Sequence, residues 1–233
     1  MRKGRGWILV YPLTIVIILS CIVWGSRVVN TFSETIPMHH AVCIIIDAGH
    51  GGIDGGAISC TGRPESMYNL EIALRLEALF HLLGFETKMI RREDVSVYTK
   101  GDTIAQKKVS DLKERVRIVN ETPNALILSI HQNYYSDSRY SGAQIFYPKT
   151  TGSDLLASKL QSAIGSTLDP GNHRKCKKST GVYLMEKIQC TGVLIECGFL
   201  SCPQEEARLR TPIYQKKISA VITTTVSSFL SNT

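Results

Sequence analysis

The sequence lacks several short signatures that would assign a function at once. None of its seven cysteines are spaced as C-x-x-C, no H-E-x-x-H motif occurs, and no glycine-rich segment matches G-x-x-x-x-G-K-[ST]. These absences exclude a zinc ribbon, a zincin-type protease and a P-loop nucleotide site. Internal repeats and low-complexity tracts are also missing, which excludes a repeat architecture.

Proline and charge are scarce enough to exclude other classes. Only 8 of the 233 residues are proline and 18 are glycine, while 20% are charged and 43% are hydrophobic. This balance excludes intrinsic disorder, a coiled coil and a collagen-like fibre. A chain of this length buries enough surface to fold without a disulfide scaffold.

Acidic residues are absent from the first 32 positions. This segment carries Arg2, Lys3, Arg5 and Arg27, which supply four of the seven net positive charges of the chain. The remaining residues therefore carry a net charge of only +3, which is ordinary for a soluble domain. We expect no nucleic-acid partner.

The same N-terminal segment contains an 18-residue run without a charge, positions 7–24, with Trp7 and Trp24 at its ends. This length is near the minimum for a membrane-spanning helix, and the preceding basic residues predict a cytoplasmic N-terminus. We expect residues 1–32 to be a signal-anchor, 33–40 a linker and 41–233 an exported folded domain. A cleaved signal peptide is the alternative for the first segment.

Apolar strand-length runs alternate with helical periodicity along the rest of the chain. This alternation predicts one α/β domain with a mostly parallel mixed sheet flanked by helices. The predicted strands are 42–47, 85–90, 125–130, 143–147, 181–185 and 192–195, and the predicted helices are 65–83, 111–120, 153–164, 204–209 and 212–230.

Polar side chains follow three of the predicted buried strands. His50, His131 and Glu196 each come after a strand, and the carboxyl ends of strands are where α/β proteins build their sites. Glu65 begins the first predicted helix, which returns from the edge that carries His50. Two imidazoles and one carboxylate form a donor set that suits Zn2+ with an open coordination position. The residues alone therefore predict an exported hydrolase with a zinc site.

Four ordered motifs carry a resemblance to a known family. They are IIIDAGHGGIDGGA at 44–57, ESMYNLEIALRL at 65–76, LILSIHQN at 126–133 and VLIECGFLSCPQEE at 193–206. Together they resemble the zinc-dependent N-acetylmuramoyl-L-alanine amidases of the amidase-3 family, and most closely its spore-cortex, germination-related branch.

The resemblance implies roles for individual residues. His50, Glu65 and His131 match the family's zinc ligands, and Glu196 matches its general base. The implied activity is cleavage of the amide bond between N-acetylmuramic acid and L-alanine in peptidoglycan, which allows a partner deacetylase to form muramic-δ-lactam. A further expected partner is an accessory protein that loads zinc.

Two other functions stay open on the sequence alone. One is another exported zinc hydrolase, such as a peptidase or a deacetylase, and the other is a non-catalytic wall-binding protein. Within the resemblance, we expect Arg115 to be structural, and we expect Cys197 to be a buried small residue rather than a nucleophile. The basic run 174–178 is expected to be a solvated loop or a contact for stem-peptide carboxylates.

Overall fold

Six strands form one sheet in residues 39–232, the part of the chain that the computed structural model describes. The strands are β1 (His39–Ala48), β2 (Phe85–Met89), β3 (Ala125–Asn133), β4 (Gln144–Tyr147), β5 (Lys177–Lys178) and β6 (Thr191–Phe199). Their order is β2-β1-β3-β6-β4-β5, and every neighbouring pair is parallel except β4 with β6. The predicted mostly parallel mixed sheet is confirmed.

Helices cover both faces of this sheet. They are α1 (Glu65–Leu82), α2 (Ile104–Asn120), α3 (Ser153–Leu168), α4 (Tyr183–Lys187), α5 (Pro203–Leu209) and α6 (Pro212–Leu230). No helix among these described residues is both long enough and apolar enough to cross a membrane. The predicted segment 1–32 and nearly all of the linker 33–40 lie outside the described residues.

One face of the sheet carries the larger core. Alternate strand residues such as Ile46, Leu128 and Ile195 are fully buried there, in one cluster with apolar side chains of α1, α3 and α6. Residues in a strand alternate between the two faces, so the intervening positions must face the other side.

The opposite face is covered only by α2 and α4. Ile45, Ile127 and Leu194 form its smaller core with Val119 of α2 and Leu184 of α4. Farther along the same strands the residues on this face become polar, because Asp47 pairs in register with Ser129 and His131 pairs with Glu196. This face therefore changes from a core into a polar surface at the carboxyl edge of the sheet.

One predicted strand is wrong. Residues 181–185 were expected to be extended, but α4 occupies Tyr183–Lys187. The backbone N–H groups of Glu186 and Ile188 donate to the carbonyls of Val182 and Leu184, which is the helical i to i−4 pattern. Leu184, Met185 and Ile188 are buried. A short apolar stretch can form either a strand or a helical turn, and here it forms a single helical turn.

Other predicted boundaries are too short. Helix α2 begins seven residues before the predicted start at 111, because Thr103 and Gln106 form a capping box at its N-terminus. Strands β3 and β6 continue past their apolar runs to Asn133 and Phe199. The two-residue strand β5, which lies in the basic run 174–178, had no apolar pattern to predict it.

A buried ion pair fixes α2 to the end of β1. The Arg115 guanidinium contacts the Asp47 carboxylate, and its Nε donates to Asp111 Oδ2 at 2.6 Å. Ser129 Oγ donates to the second Asp47 oxygen at 2.6 Å. Burial alone would raise the pKa of Asp47, but Arg115 and the Ser129 hydroxyl outweigh it and hold this pKa below its usual value. Arg115 is structural, as predicted.

The substitution Arg115→Met should therefore be strongly destabilising. It leaves the Asp47 carboxylate buried without its cation, a change that costs about 3–5 kcal/mol in the free energy of unfolding. Because the pKa of Asp47 is lowered on folding, the contribution of the pair is present above about pH 4 and is lost as the pH falls further. Urea unfolding of both proteins between pH 7 and pH 3 would measure the difference.

Arg117 of the same helix provides the matched control. It is exposed and pairs with Glu114 and Glu121 at the surface, so Arg117→Met should change stability little. Equal destabilisation by the two substitutions, or a difference independent of pH, would contradict this account of Arg115.

Candidate metal centre

The four predicted site residues meet at the carboxyl edge of the sheet. His50 lies in the glycine-rich loop after β1, Glu65 is the first residue of α1, and His131 and Glu196 belong to β3 and β6. The expectation that His131 and Glu196 follow their strands is wrong, because both strands extend beyond them. They are instead paired across the ladder, which places their side chains side by side on one face.

His50, Glu65 and His131 form a compact set of donor atoms. One nitrogen or oxygen from each residue lies within 4.8 Å of the others. His50 Nε2 is 3.3 Å from Glu65 Oε2, and His131 Nδ1 is 3.0 Å from Glu65 Oε1. Two imidazoles and one carboxylate at this separation could hold a metal ion.

The Glu65 carboxylate is held by the backbone of two neighbouring segments. The N–H of Ala57 donates to Oε2 at 3.1 Å, and the N–H of Gln132 donates to Oε1 at 3.1 Å. Asn69, one helical turn after Glu65, also donates to Oε1 at 3.1 Å. The residue is 3% exposed, so these bonds fix the side chain between the loop and β3.

His50 is oriented from the side away from Glu65. Its Nδ1 lies 3.1 Å from Asp54 Oδ2, and the other Asp54 oxygen accepts from Lys108 Nζ at 2.9 Å. A carboxylate on Nδ1 fixes the ring and leaves Nε2 facing Glu65, as is usual for metal-binding histidines. The sequence reasoning did not single out Asp54, although it lies in the same glycine-rich motif.

Two glycines let the backbone lie against these side chains. A Cβ at Gly49 would stand 2.2 Å from His131 Nε2, and a Cβ at Gly56 would stand 2.6 Å from Glu65 Oε2. Gly56 also has a φ of +70°, which other residues rarely adopt. Since Gly49 covers the Nε2 side of His131, the nitrogen presented to the centre is Nδ1.

Two buried arginines hold the loop that carries His50. Arg91 donates to the carbonyls of Ala48 and Gly49 at 2.8 and 2.9 Å. Arg115 donates to the carbonyls of Ala48 and His50 at 3.0 and 2.8 Å. The loop is therefore fixed by side chains rather than by regular secondary structure. Arg91 was not recognised from the sequence, which gives no local signal for this contact.

The charges within the set reinforce one another. Burial alone would raise the pKa of Glu65, but the two histidines hold it far below its usual value. Burial alone would lower the pKa of His50, but Glu65 and Asp54 raise it to about 9. The centre therefore favours a bound cation, which is a proton on His50 when no metal is present.

Glu196 occupies a different position from the three donors. Its Oε2 is buried and has no hydrogen-bond partner among the described residues. Burial raises the pKa of Glu196 to about 7, with His131 opposing the rise and Glu65 adding to it. An unpartnered buried carboxylate oxygen beside a metal-binding set is suited to accept a proton from a water molecule there.

Cys197 follows Glu196 but faces the larger core. It is 1% exposed, and burial raises the pKa of its thiol well above the usual value. A protonated buried thiol is not nucleophilic. The prediction that Cys197 is a buried small residue is confirmed.

A cavity of about 270 Å3 adjoins both histidines. Its wall includes His50, His131 and Asp54, together with Leu184 and Leu194 of the smaller core. The thin cover of helices on this face therefore leaves space beside the metal-binding set.

Comparison with known proteins assigns the family. Residues 44–228 match the Amidase_3 family model, described as N-acetylmuramoyl-L-alanine amidase. This match covers most of the chain, and the chain belongs to this family of peptidoglycan-cleaving enzymes.

Two curated relatives from Bacillus subtilis (strain 168) illustrate the match. The germination-specific N-acetylmuramoyl-L-alanine amidase is 36% identical over 182 residues, which cover 77% of this chain and 76% of the relative. The amidase LytC is 28% identical and is matched over 34% of its length.

Solved structures agree in fold. The CwlD amidase from Clostridioides difficile, in complex with the GerS lipoprotein, matches with a TM-score of 0.79 and 36% identity, covering 82% of this chain and 99% of that one. An N-acetylmuramoyl-L-alanine amidase from Clostridium difficile 630 matches with a TM-score of 0.72 and 29% identity, covering 82% and 97% of the two chains.

Removal of any one donor should abolish tight metal binding. In His50→Ala, Glu65→Gln and His131→Ala, zinc affinity should fall by more than the roughly 10- to 100-fold expected for the orienting substitution Asp54→Asn. Zinc stoichiometry after dialysis against a competing chelator would measure the loss. His173→Ala is the matched control, because His173 is exposed. Full zinc retention in any of the three variants would remove that residue from the donor set.

Proposed function

We propose that this amidase hydrolyses the amide bond between N-acetylmuramic acid and L-alanine, with Zn2+ held by His50, Glu65 and His131 and with Glu196 as general base. The family assignment supports the reaction. The observation that carries the assignment of roles is the buried, unpartnered Oε2 of Glu196, paired in register with His131 beside the donor set.

The donor set fits zinc in its chemistry. Neutral imidazole and carboxylate are normal zinc ligands, and three protein ligands leave a position open for water or substrate. When bound, Zn2+ supplies an electrophile for the carbonyl oxygen and lowers the pKa of a coordinated water. Asp54 keeps His50 in the correct orientation, and the arginine contacts keep its loop in place.

Glu196 transfers a proton from the attacking water to the leaving group. As a carboxylate, its Oε2 accepts a proton from the attacking water, and as the acid it returns this proton to the departing L-alanine nitrogen. Its buried position, which raises the pKa of Glu196, favours retention of the proton between the two steps. The water oxygen forms the new bond to the lactyl carbonyl carbon, and the carbon–nitrogen bond breaks.

The substitution Glu196→Gln should separate metal binding from catalysis. It keeps the size of the side chain but removes its basicity, so zinc content and fold should be retained while the cleavage rate falls by roughly 10²-fold or more. Both quantities should be measured on one preparation, with muropeptides as substrate and mass spectrometry as readout. Glu86→Gln makes the same chemical change at an exposed position of β2 and serves as the control.

The products distinguish the remaining functions. Peptides that begin with a free L-alanine identify an amidase, whereas acetate or internally cleaved peptides identify a deacetylase or a peptidase. Near-normal cleavage by Glu196→Gln would exclude Glu196 from the mechanism, and zinc loss in that variant would make it a ligand instead. Wall binding without any cleavage by the unmodified chain would identify a binding protein.

The relatives support a role in spores. One relative is named as germination-specific, and the matched Clostridioides difficile amidase was solved with a lipoprotein. We propose that this chain acts in the same setting, on the cortex of the developing spore envelope. Removal of the stem peptide frees the muramic lactyl group, so a partner deacetylase can form muramic-δ-lactam. An accessory lipoprotein is the partner that the structural relative suggests.

The N-terminal segment is proposed as the export and membrane signal. Deletion of residues 1–28 should leave a soluble catalytic domain with full zinc content and unchanged muropeptide cleavage, because the run 7–24 is expected to contact lipid. Membrane fractionation should show that only the full chain pellets with membranes. Aggregation of the truncated chain with loss of metal, or pelleting of both forms, would contradict the proposal.

A further inference from the structure

Arg174 belongs to the basic run 174–178, for which a solvated loop and a contact with stem-peptide carboxylates are the two expectations from the sequence. Its Nε donates to the carbonyl of Ser141 at 2.8 Å, and its Nη1 donates to Gln144 Oε1 at 3.2 Å. The guanidinium carbon lies 4.7 Å from the centre of the Phe199 ring. The guanidinium carbon also lies 6.0 Å from the centre of the Tyr140 ring, so the side chain is fixed by two hydrogen bonds and two aromatic rings.

This fixed cation has no counterion in the structure. Within the described residues, no carboxylate lies within ion-pair distance of Arg174, and its hydrogen bonds use Nε and Nη1 but not Nη2. A half-buried guanidinium that is held in place and retains free donors is suited to bind a carboxylate in the bidentate manner.

The position of Arg174 relates it to the reaction centre. Gln144, which accepts its hydrogen bond, pairs directly with Glu196 across β4 and β6. The side chains of directly opposite residues lie on one face, about 5 Å apart at Cβ. Because Arg174 is hydrogen-bonded to Gln144 and Gln144 is paired with Glu196, about two strand spacings, on the order of 10 Å, separate the guanidinium from Glu196.

This distance fits a peptide that crosses the edge of the sheet. An extended chain advances about 3.4 Å per residue, so about 10 Å corresponds to two or three residues. A stem peptide with its scissile amide at Glu196 would therefore bring its second or third residue to Arg174. In space, the residues follow one another across this edge of the sheet in the order His131, Glu196, Gln144 and Arg174.

We propose that Arg174 binds a carboxylate of the stem peptide, on the second or third residue from the scissile amide, and so selects and positions the substrate. This inference rests on the proposed amidase function. The other cations of the run, Lys175, Lys177 and Lys178, are exposed, and their ammonium groups form no hydrogen bond or ion pair with the part of the chain that the structure describes. We therefore interpret these three lysines as the solvated part of the run.

The test compares two substrates with the full-length zinc enzyme. One is a muramyl tripeptide with free carboxylates on its second and third residues, and the other carries carboxamides at those positions. We expect conversion to the carboxamide to raise KM by about tenfold or more, the range for a hydrogen bond to a charged group, while kcat changes by less than about threefold.

The variant Arg174→Gln should raise KM for the carboxylate substrate by a similar factor and should leave KM for the carboxamide nearly unchanged. Lys178→Gln removes the same charge from an exposed position and should leave both constants unchanged. Arg174→Lys should restore part of the difference in KM between the carboxylate and carboxamide substrates. High salt should reduce this difference in KM in the unmodified enzyme.

Two results would overturn the inference while the amidase function stands. In one, the unmodified enzyme cleaves both substrates with equal KM, a comparison that requires no variant to fold. In the other, Arg174→Gln impairs both substrates equally, which indicates a purely structural role. Failure of the unmodified enzyme to cleave either substrate would refute the proposed function and this inference with it.

Discussion

The whole site depends on one buried carboxylate, that of Glu65. Its two oxygens take hydrogen bonds from the glycine-rich loop, from α1 itself and from β3, and they face both histidines. A buried charge of this kind is costly unless it is paired and hydrogen-bonded. The arrangement meets that requirement with backbone donors on one side and a cation on the other.

The two faces of the sheet are covered by different numbers of helices, and this difference explains why the site lies on one of them. One face is closed by α1, α3 and α6 over a large apolar core, and it supplies the rigidity. The other face has only α2 and the short α4, and its strands turn polar at their carboxyl ends. Arg115 connects the sheet to the site, since it binds Asp47 in the sheet and the carbonyl of His50 in the loop.

The sequence predicted the parts of this arrangement that have a local pattern. The apolar runs located five of the six strands, and polar residues after them pointed to His50, His131 and Glu196. The start of the first predicted helix, at the same edge of the sheet, pointed to Glu65. The strand predicted at 181–185 was wrong because a single helical turn and a short strand look alike when only a few apolar residues are available.

Other features could not be predicted because they depend on contacts between distant segments. Arg91 reaches the carbonyls of Ala48 and Gly49 from more than 40 positions away. The juxtaposition of Arg174 with Gln144, and of Gln144 with Glu196, follows from the antiparallel placement of β4 beside β6. No periodicity in the sequence encodes that strand order.

X-ray absorption at the zinc edge of the metal-loaded chain would test the central claim most directly. The account predicts a first shell of only nitrogen and oxygen at about 2.0–2.2 Å, with two imidazoles, and the same shell in Glu196→Gln. A sulfur ligand at about 2.3 Å, or a shell that loses one oxygen in Glu196→Gln, would contradict the assignment of His50, Glu65 and His131 as the protein ligands.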